Sequence, residues 1–149
     1  MQQRMQLKET SPGAYEAMLG LERHLTTTGL DNKLRELVKI RASQINGCAF
    51  CIDLHTKDAR TMGESEQRIY ALNAWQETPF FTPEERAALA LTEAITLVAE
   101  TGVPDEVYEE ARRLFGEERL AELIMAVVTI NAWNRIAIST RTVPKKSAA

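Results

Sequence analysis

The chain has 149 residues, of which 44% are hydrophobic and 26% are charged, so it is long enough to form one domain with a substantial core. Its net charge of -3 argues against a nucleic-acid partner or an acidic membrane surface, because both favour basic patches.

Neither a secretory signal nor a membrane span is predicted. Residues 1–8 lack an apolar core and a small-residue cleavage site. The longest apolar run, residues 120–138, is interrupted by polar side chains: Glu122, Thr129, Asn131, Asn134 and Arg135. We therefore expect a cytoplasmic protein without a membrane partner.

Helical periodicity predicts an all-α fold of about seven helices, without internal linkers or repeats. Residues 1–10 form a polar N-terminal extension, expected to be extended or in contact with a partner. Residues 11–140 form the domain, and residues 141–149 form a flexible tail.

The first two helices begin at Ser11 and Asp31, residues that cap helix N-termini. Gly29 ends the first helix, which carries His24 as a surface histidine. The second helix ends at Asn46-Gly47, and its predicted apolar stripe consists of Leu34, Leu37, Val38, Arg41 and Ile45.

Cys48 opens a third helix, which runs to about Met62. Ser65 caps a fourth, whose predicted core-side residues are Ile69, Leu72, Ala74 and Trp75. Thr82-Pro83-Glu84-Glu85 has the pattern of a capping box and starts a helix that ends near Gly102. The apolar residues of that helix are Ala88, Leu91, Ile95 and Val98.

The last two predicted helices are separated by Gly116. The shorter one begins at Pro104-Asp105, with Val107, Ala111, Leu114 and Phe115 as its apolar residues. Residues 117–140 form the most apolar helix, which should lie centrally in the fold.

The candidate chemistry lies at Cys48, Cys51 and His55, with Glu36 on the preceding helix. The spacings of three and four residues place both thiols and the imidazole on one helix face. Thiols react as thiolates, and the N-terminus of a helix favours negative charge. His55 could accept a thiol proton or stabilise the thiolate, and Glu36 could orient the imidazole. The pattern indicates redox chemistry.

Other interpretations of these residues remain open. The cysteines could be two small buried hydrophobic residues, or they could bind zinc together with His55 and Glu36. Glu36 could form only a salt bridge, with Lys33 or Lys39. For Asn131, Asn134 and Arg135, buried hydrogen bonding to helix ends or across a subunit interface is favoured over catalysis.

These residues resemble a known family, the alkyl hydroperoxidase D (AhpD)-like branch of the carboxymuconolactone decarboxylase superfamily. The match consists of Glu36, eleven residues, Cys48-Ala-Phe-Cys51, three residues and His55. Arg41-x-Ser43, Asn46-Gly47 and Asn131-Ala-Trp-Asn134-Arg135 also resemble the family pattern. Phe50 stands where better-studied members often have a second histidine.

The resemblance implies a thiol-dependent peroxidase that acts on small hydroperoxides and assembles into homo-trimers or hexamers. Cys51 would be the peroxidatic thiolate and Cys48 would resolve its sulfenic acid to a disulfide, while Glu36 and His55 would form the proton relay. An unidentified dithiol would reduce the disulfide, and neither a metal nor an organic cofactor is implied.

Two further functions stay open at this point. The protein could be a non-enzymatic redox sensor whose CxxC pair changes its assembly. It could also be a decarboxylase or hydrolase that uses His55, although the decarboxylase branch generally lacks the CxxC pair.

Overall fold

The computed structural model describes residues 1–146 and confirms the all-α prediction, since these residues contain helices and no strand. The helices α1 to α8 span Leu7–Thr10, Pro12–Thr26, Asn32–Asn46, Ala49–Thr61, Glu66–Ala71, Pro83–Thr96, Val98–Thr101 and Asp105–Thr140. A 3-10 helix, Leu72–Glu77, follows α5 directly. The short helices α1 and α7 were not predicted as separate elements.

Three predicted N-caps form the expected hydrogen bonds. The side chains of Asp31, Ser65 and Thr82 each accept a hydrogen bond from the backbone N–H three residues later. Thr82 and Glu85 form the complete reciprocal capping box. These caps fix where α3, α5 and α6 begin.

We expect Thr82→Ala to lower the free energy of unfolding by about 1 kcal/mol, because it leaves the N–H of Glu85 without its helix-capping partner. Ser11→Ala is the matched control, since Ser11 precedes α2 but its side chain makes no capping hydrogen bond. Urea unfolding, monitored by circular dichroism, measures the stability of both variants. Equal midpoints for the two variants would contradict the capping argument.

Two glycines end helical segments where the sequence predicted. Gly47 follows α3 in the left-handed conformation, with φ of 69°, which a side chain would strain. Gly116, with φ of 73° and ψ of 168°, interrupts Asp105–Thr140. That element therefore consists of the two predicted helices, and its second half is the central one.

The core forms where α8 packs against α3 and α6. Helix α3 also contacts α4 and the 3-10 helix, so it is covered on several sides. The stripe predicted for α3 is therefore confirmed only in part. Leu34, Leu37 and Val38 are buried, but Arg41 and Ile45 are partly exposed. The charged residues Arg35, Glu36 and Lys39, which lay outside the predicted stripe, are buried as well.

Two predicted core residues are exposed because their helices end earlier than expected. Ala74 lies in the 3-10 helix with non-helical φ and ψ of -122° and 30°, which turns its side chain to the surface. Helix α6 ends at Thr96, and Val98 begins the separate helix α7 with 57% of its surface exposed.

The N-terminal residues pack against the end of α8, which corrects the expectation of a wholly extended segment. Leu7–Thr10 is helical, and the N–H of Arg4 donates to the carbonyl of Thr140 at 2.9 Å. The predicted tail, residues 141–149, begins beside this contact, since the N–H of Thr142 donates to the carbonyl of Ala137. Residues 147–149 of that tail lie outside the described residues.

By length and composition alone, Asp105–Thr140 includes one window of 18 residues apolar enough to cross a membrane, with a mean hydropathy of 1.3. Half of that window is buried inside the domain, as is common for the core helix of a globular fold.

Candidate active site

The four predicted site residues meet at the junction of α3 and α4. Glu36 lies on α3, whereas Cys48 precedes α4 and Cys51 and His55 lie on it. The turn at Gly47 folds α4 back against α3, so that Glu36 and His55 face each other. The structure therefore places these residues together as two pairs, Cys48 with Cys51 and Glu36 with His55.

The two cysteines form a buried dithiol. Both are free, with 1% and 3% of their surfaces exposed, and their Sγ atoms are 2.6 Å apart. They pack in a small apolar cluster with Ala42 of α3 and with Ile130 and Ala137 of α8. Because the sulfurs are already adjacent, little rearrangement is needed to join them as a disulfide.

The two thiols differ in acidity. A hydrogen bond from Cys51 lowers the pKa of Cys48 to about 7, although burial acts in the opposite direction. The first backbone N–H groups of α4, those of Phe50 and Cys51, lower it further, as expected for a helix start. The same contact with Cys48, together with burial, raises the pKa of Cys51. Above about pH 7 the pair therefore holds one proton between two sulfurs.

Glu36 and His55 form a buried acid–base pair. Nδ1 of His55 donates to Oε2 of Glu36 at 2.8 Å, and the two side chains are 10% and 4% exposed. This contact leaves the other ring nitrogen for the cavity that His55 lines. Within residues 1–146, His55 makes no hydrogen bond to either sulfur. Proton exchange with Cys51 would therefore pass through the cavity.

A buried lysine completes the charged cluster. Nζ of Lys39 lies 3.3 Å from Glu36 and 3.2 Å from Glu22, and its side chain is 8% exposed. Burial raises the pKa of Glu36, but the hydrogen bond from His55 and the charge of Lys39 outweigh burial and hold that pKa below its usual value of 4.5. Glu36 is thus both a salt-bridge partner, as one interpretation predicted, and the partner of His55.

An asparagine that was not predicted for the site affects the acidity of the thiols. Asn134 of α8 is fully buried, and its side-chain amide lowers the pKa of both Cys48 and Cys51. The sequence carried one signal for this position, since Asn131-Ala-Trp-Asn134-Arg135 resembles the family pattern. In the structure, Asn134 lies three and four residues from Ala137 and Ile130, which pack against the dithiol.

The predicted hydrogen bonding of the polar residues in α8 is confirmed. Nδ2 of Asn46, the last residue of α3, donates to the side-chain oxygens of Asn131 and Asn134 at 3.0 and 2.8 Å. Asn131 also donates to Thr96, and Arg135 donates to Asn131. This network ties the end of α3 to the centre of α8.

A cavity of about 500 Å³ opens onto Cys51 and His55, but Cys48 does not line it. Most of its other wall is apolar and comes from Tyr15, Leu19, Phe50, Leu54, Trp133 and Ile136. Tyr15 and Trp133 meet edge to face, with ring centroids 5.8 Å apart. The N-terminal segment contributes Gln3, Gln6, Leu7 and Lys8. Periodicity could not have placed these residues beside the cysteines, because tertiary packing brings the segment there.

The zinc interpretation fits the geometry poorly. Glu36, His55 and Asp58 present ligand atoms within 4.8 Å of one another, but this group does not include the cysteines. The ammonium group of Lys39 already lies against the Glu36 carboxylate and supplies the positive charge there. The donor set is thus better suited to proton transfer than to a thiolate-bound metal.

Sequence comparison supports the resemblance across most of the chain. The model of the carboxymuconolactone decarboxylase family matches residues 12–94. The uncharacterised protein YdfG of Bacillus subtilis is 49% identical over 139 residues, which cover 93% of this chain and 95% of YdfG.

Two solved structures show the same fold. A protein of unknown function from Agrobacterium tumefaciens, described as a candidate antioxidant defence protein AhpD, superposes with a TM-score of 0.95 at 40% identity and covers 98% of this chain and 100% of its own. The debrominase Bmp8 superposes with a TM-score of 0.79 at 20% identity, over 92% of this chain and 74% of Bmp8. This chain is therefore an AhpD-like member of the carboxymuconolactone decarboxylase family.

Proposed function

We propose that the protein is a thiol-dependent peroxidase that reduces small hydroperoxides through a Cys48–Cys51 dithiol and disulfide cycle. The observation that carries this proposal is the buried dithiol, whose Cys51 lines an apolar cavity together with the Glu36-bound His55. The apolar part of the cavity wall can take up the organic part of a hydroperoxide.

Cys51 is the attacking residue in this mechanism, because it lines the cavity whereas Cys48 does not. The more acidic thiol is Cys48, but the sulfurs are only 2.6 Å apart. Transfer of the shared proton from Cys51 to Cys48 therefore places the thiolate on Cys51, and His55 takes a second proton from solvent through the cavity.

The Cys51 thiolate attacks the terminal oxygen of the hydroperoxide, and the O–O bond breaks. The leaving alkoxide takes a proton from His55, whose charged form is stabilised by the Glu36 carboxylate. Cys51 is then a sulfenic acid, and the products of this step are the sulfenic acid and one alcohol.

Cys48 then attacks the Cys51 sulfur, the S–O bond breaks, and the hydroxide leaves as water with the remaining thiol proton. The disulfide is reduced by an external dithiol, which becomes a disulfide itself. One turnover thus converts a hydroperoxide and a dithiol into an alcohol, water and a disulfide. We place this cycle in the cytoplasm, where a reducing environment returns the cysteines to thiols, with no nucleic-acid or membrane partner.

The experiment that tests the proposal is stopped-flow oxidation of the reduced protein by cumene hydroperoxide, with thiols counted before and after. We expect loss of two thiols per chain and a Cys48–Cys51 disulfide in the peptide map, at a rate well above that of a free thiol. Oxidation no faster than that of free cysteine would refute the peroxidase function.

Two further measurements, of the oligomer in each redox state and of a variant without cysteines, separate the alternatives. A redox sensor would form the disulfide with little turnover, and its oligomer would differ between the two redox states. A decarboxylase that uses His55 would keep full activity in the Cys48→Ala/Cys51→Ala double variant. The peroxidase proposal requires that this variant be inactive towards hydroperoxides.

We also propose that the protein is a homo-oligomer, a trimer or a hexamer. One face of α8 presents small and apolar residues at helical spacing: Ala121, Met125, Val128 and Ala132. Met125 and Val128 are 37% and 43% exposed in the single chain. A symmetric copy of the same face would cover them.

We expect Met125→Glu/Val128→Glu to reduce the mass measured by light scattering at micromolar concentration, because it places charge in the apolar contact. Val98→Glu is the control, since Val98 is also apolar and is even more exposed, at 57%, but lies on α7. If the wild-type protein has the mass of a single chain, the oligomer proposal is wrong.

A further inference from the structure

A buried lysine lies behind the pair that Glu36 forms with His55. Nζ of Lys39 is 3.3 Å from Oε1 of Glu36 and 3.2 Å from Oε2 of Glu22, and only 8% of the Lys39 side chain is exposed. A buried ammonium group is costly unless carboxylates lie against it, so these two contacts explain why the charge is tolerated there. Lys39 also lines the cavity, together with His55 and Glu22. It therefore belongs to the site as well as to the core.

The two oxygens of the Glu36 carboxylate have different partners. Oε1 lies against Nζ of Lys39, whereas Oε2 accepts from Nδ1 of His55 at 2.8 Å. Because each oxygen has its own charged or polar partner, the carboxylate cannot turn without losing one of the two contacts. Lys39 therefore fixes which oxygen of Glu36 meets the imidazole.

The charges of this cluster balance when the imidazole is protonated. Glu22 and Glu36 contribute two negative charges, Lys39 contributes one positive charge, and a charged His55 makes the set neutral. A buried imidazolium and carboxylate can also lose their charges, if the proton moves from the ring to the carboxylate. The ammonium group beside Oε1 opposes that transfer, because it stabilises the ionised form of Glu36.

We propose that Lys39 is a positioning residue of the proton relay, which keeps Glu36 ionised and the relay proton on His55. The inference rests on the proposed function of the same site and adds a residue to it. Lys39 acts through Glu36, which stays a carboxylate while His55 gives its proton to the leaving alkoxide. The charge of Lys39 also helps to hold the pKa of Glu36 below its usual value, in agreement with this role.

Other charged and titratable groups around Glu36 remain unchanged when Lys39 is substituted. Oδ2 of Asp58 on α4 lies 3.9 Å from Nδ1 of His55, but 46% of the Asp58 side chain is exposed, so solvent screens its charge. Further groups on the surrounding elements include Lys8 of α1, Arg35 of α3, Cys51 of α4, Glu77 of the 3-10 helix, Glu93 of α6 and Arg135 of α8. A changed titration of Glu36 in a Lys39 variant therefore reports on the ammonium group.

The test follows the carboxyl carbon signal of Glu36 against pH in NMR spectra of the reduced protein. In Lys39→Met, which keeps the length of the side chain without its charge, the midpoint should rise by about one pH unit, a tenfold change in ionisation constant. Lys57→Met is the matched control, because Lys57 pairs with Asp53 at 2.8 Å on the surface of α4, with 52% of its side chain exposed. It should leave the Glu36 midpoint unchanged.

A second variant separates the charge of Lys39 from its packing. Glu22→Gln keeps the ammonium group but removes one of its two carboxylates, so the Glu36 midpoint should stay at or below the wild-type value. A rise in Glu22→Gln would show that any damage to the cluster has the same effect, and it would overturn the proposal. This variant also decides the matter if Lys39→Met does not fold, since Glu22 is 25% exposed and glutamine preserves its shape.

The rate of thiol oxidation by cumene hydroperoxide gives a second readout. Because the relay requires an ionised Glu36, the acid limb of the rate–pH profile should move upward in Lys39→Met together with the Glu36 midpoint. A rate lowered by one factor at every pH would indicate a merely structural role and would overturn the proposal. So would a folded Lys39→Met protein with the wild-type Glu36 titration. The titration needs no peroxide, so this proposal can fail while the peroxidase function stands.

Discussion

Cys51→Ser should abolish hydroperoxide turnover, whereas Cys48→Ser should keep one round of oxidation per chain. The difference follows from the cavity, which Cys51 lines and Cys48 does not. Serine preserves the size of the side chain but is a very poor nucleophile at neutral pH, because its hydroxyl is far less acidic than a thiol and stays protonated. Without Cys48, the sulfenic acid formed on Cys51 has no neighbouring thiol with which to condense.

The measurement combines steady-state turnover with trapping of the sulfenic acid by dimedone and mass spectrometry of the labelled peptide. We expect the label on Cys51 in the Cys48→Ser variant and no label in the Cys51→Ser variant. Circular dichroism should show both variants folded, since each substitution changes one buried atom. Label on Cys48 in Cys51→Ser, with turnover retained, would assign the attack to the more acidic thiol instead.

Glu36→Gln should lower the rate of peroxide reduction by about 10²-fold to 10⁴-fold, the range found when general acid–base catalysis is lost. The amide keeps the shape of the side chain but no longer stabilises a charged His55. The substitution should also destabilise the protein by about 3 kcal/mol, because it leaves Lys39 buried with only Glu22 as a partner.

The chain offers a matched control for this substitution. His24 and Glu122 form the same type of pair, with Nε2 and Oε2 3.1 Å apart, but the His24 side chain is 58% exposed. Glu122→Gln should therefore cost at most about 1 kcal/mol and leave the rate unchanged. Equal losses of rate and of stability in Glu36→Gln and Glu122→Gln would show that burial of the Glu36–His55 pair has no special effect on either quantity.

The pH dependence of stability should also differ between Glu36→Gln and the wild-type protein. Because the pKa of Glu36 is lower in the folded chain than its usual value of 4.5, its contribution is fully present above about pH 4.5. That contribution is lost as the pH falls through the lower, folded value. Urea midpoints measured between pH 7 and pH 3 should therefore fall less steeply for Glu36→Gln than for the wild-type protein.

Local signals predicted the helix boundaries well. The side chains of Asp31, Ser65 and Thr82 are followed three residues later by the amides that they cap, so a short stretch of sequence determines the contact. The left-handed turns at Gly47 and Gly116 are equally local. The spacing on one helix face predicted the grouping of the CxxC pair with His55. Glu36 was grouped with them as a carboxylate on the preceding helix that could orient the imidazole, and the family pattern has the same four residues.

Tertiary contacts determine several features that the periodicity of the sequence could not predict. Lys39 is charged, so its burial depends on the carboxylates of Glu36 and Glu22, which reach it from two helices. The effect of Asn134 on the acidity of the thiols depends on how α8 packs against α4. The exposed position of Val98 depends on a break at Leu97 that carries no glycine or proline.

The position of Trp133 gives the site an intrinsic fluorescent reporter. Trp133 lines the cavity and packs against the cluster that contains both cysteines, whereas Trp75, the other tryptophan, lies in a separate core cluster and donates to Glu93. Indole emission responds to the polarity around the ring and is quenched by nearby sulfur. A Trp75→Phe protein would therefore contain Trp133 as its single tryptophan. Its fluorescence spectrum would report the filling of the cavity and the redox state of the dithiol in real time, without an added dye.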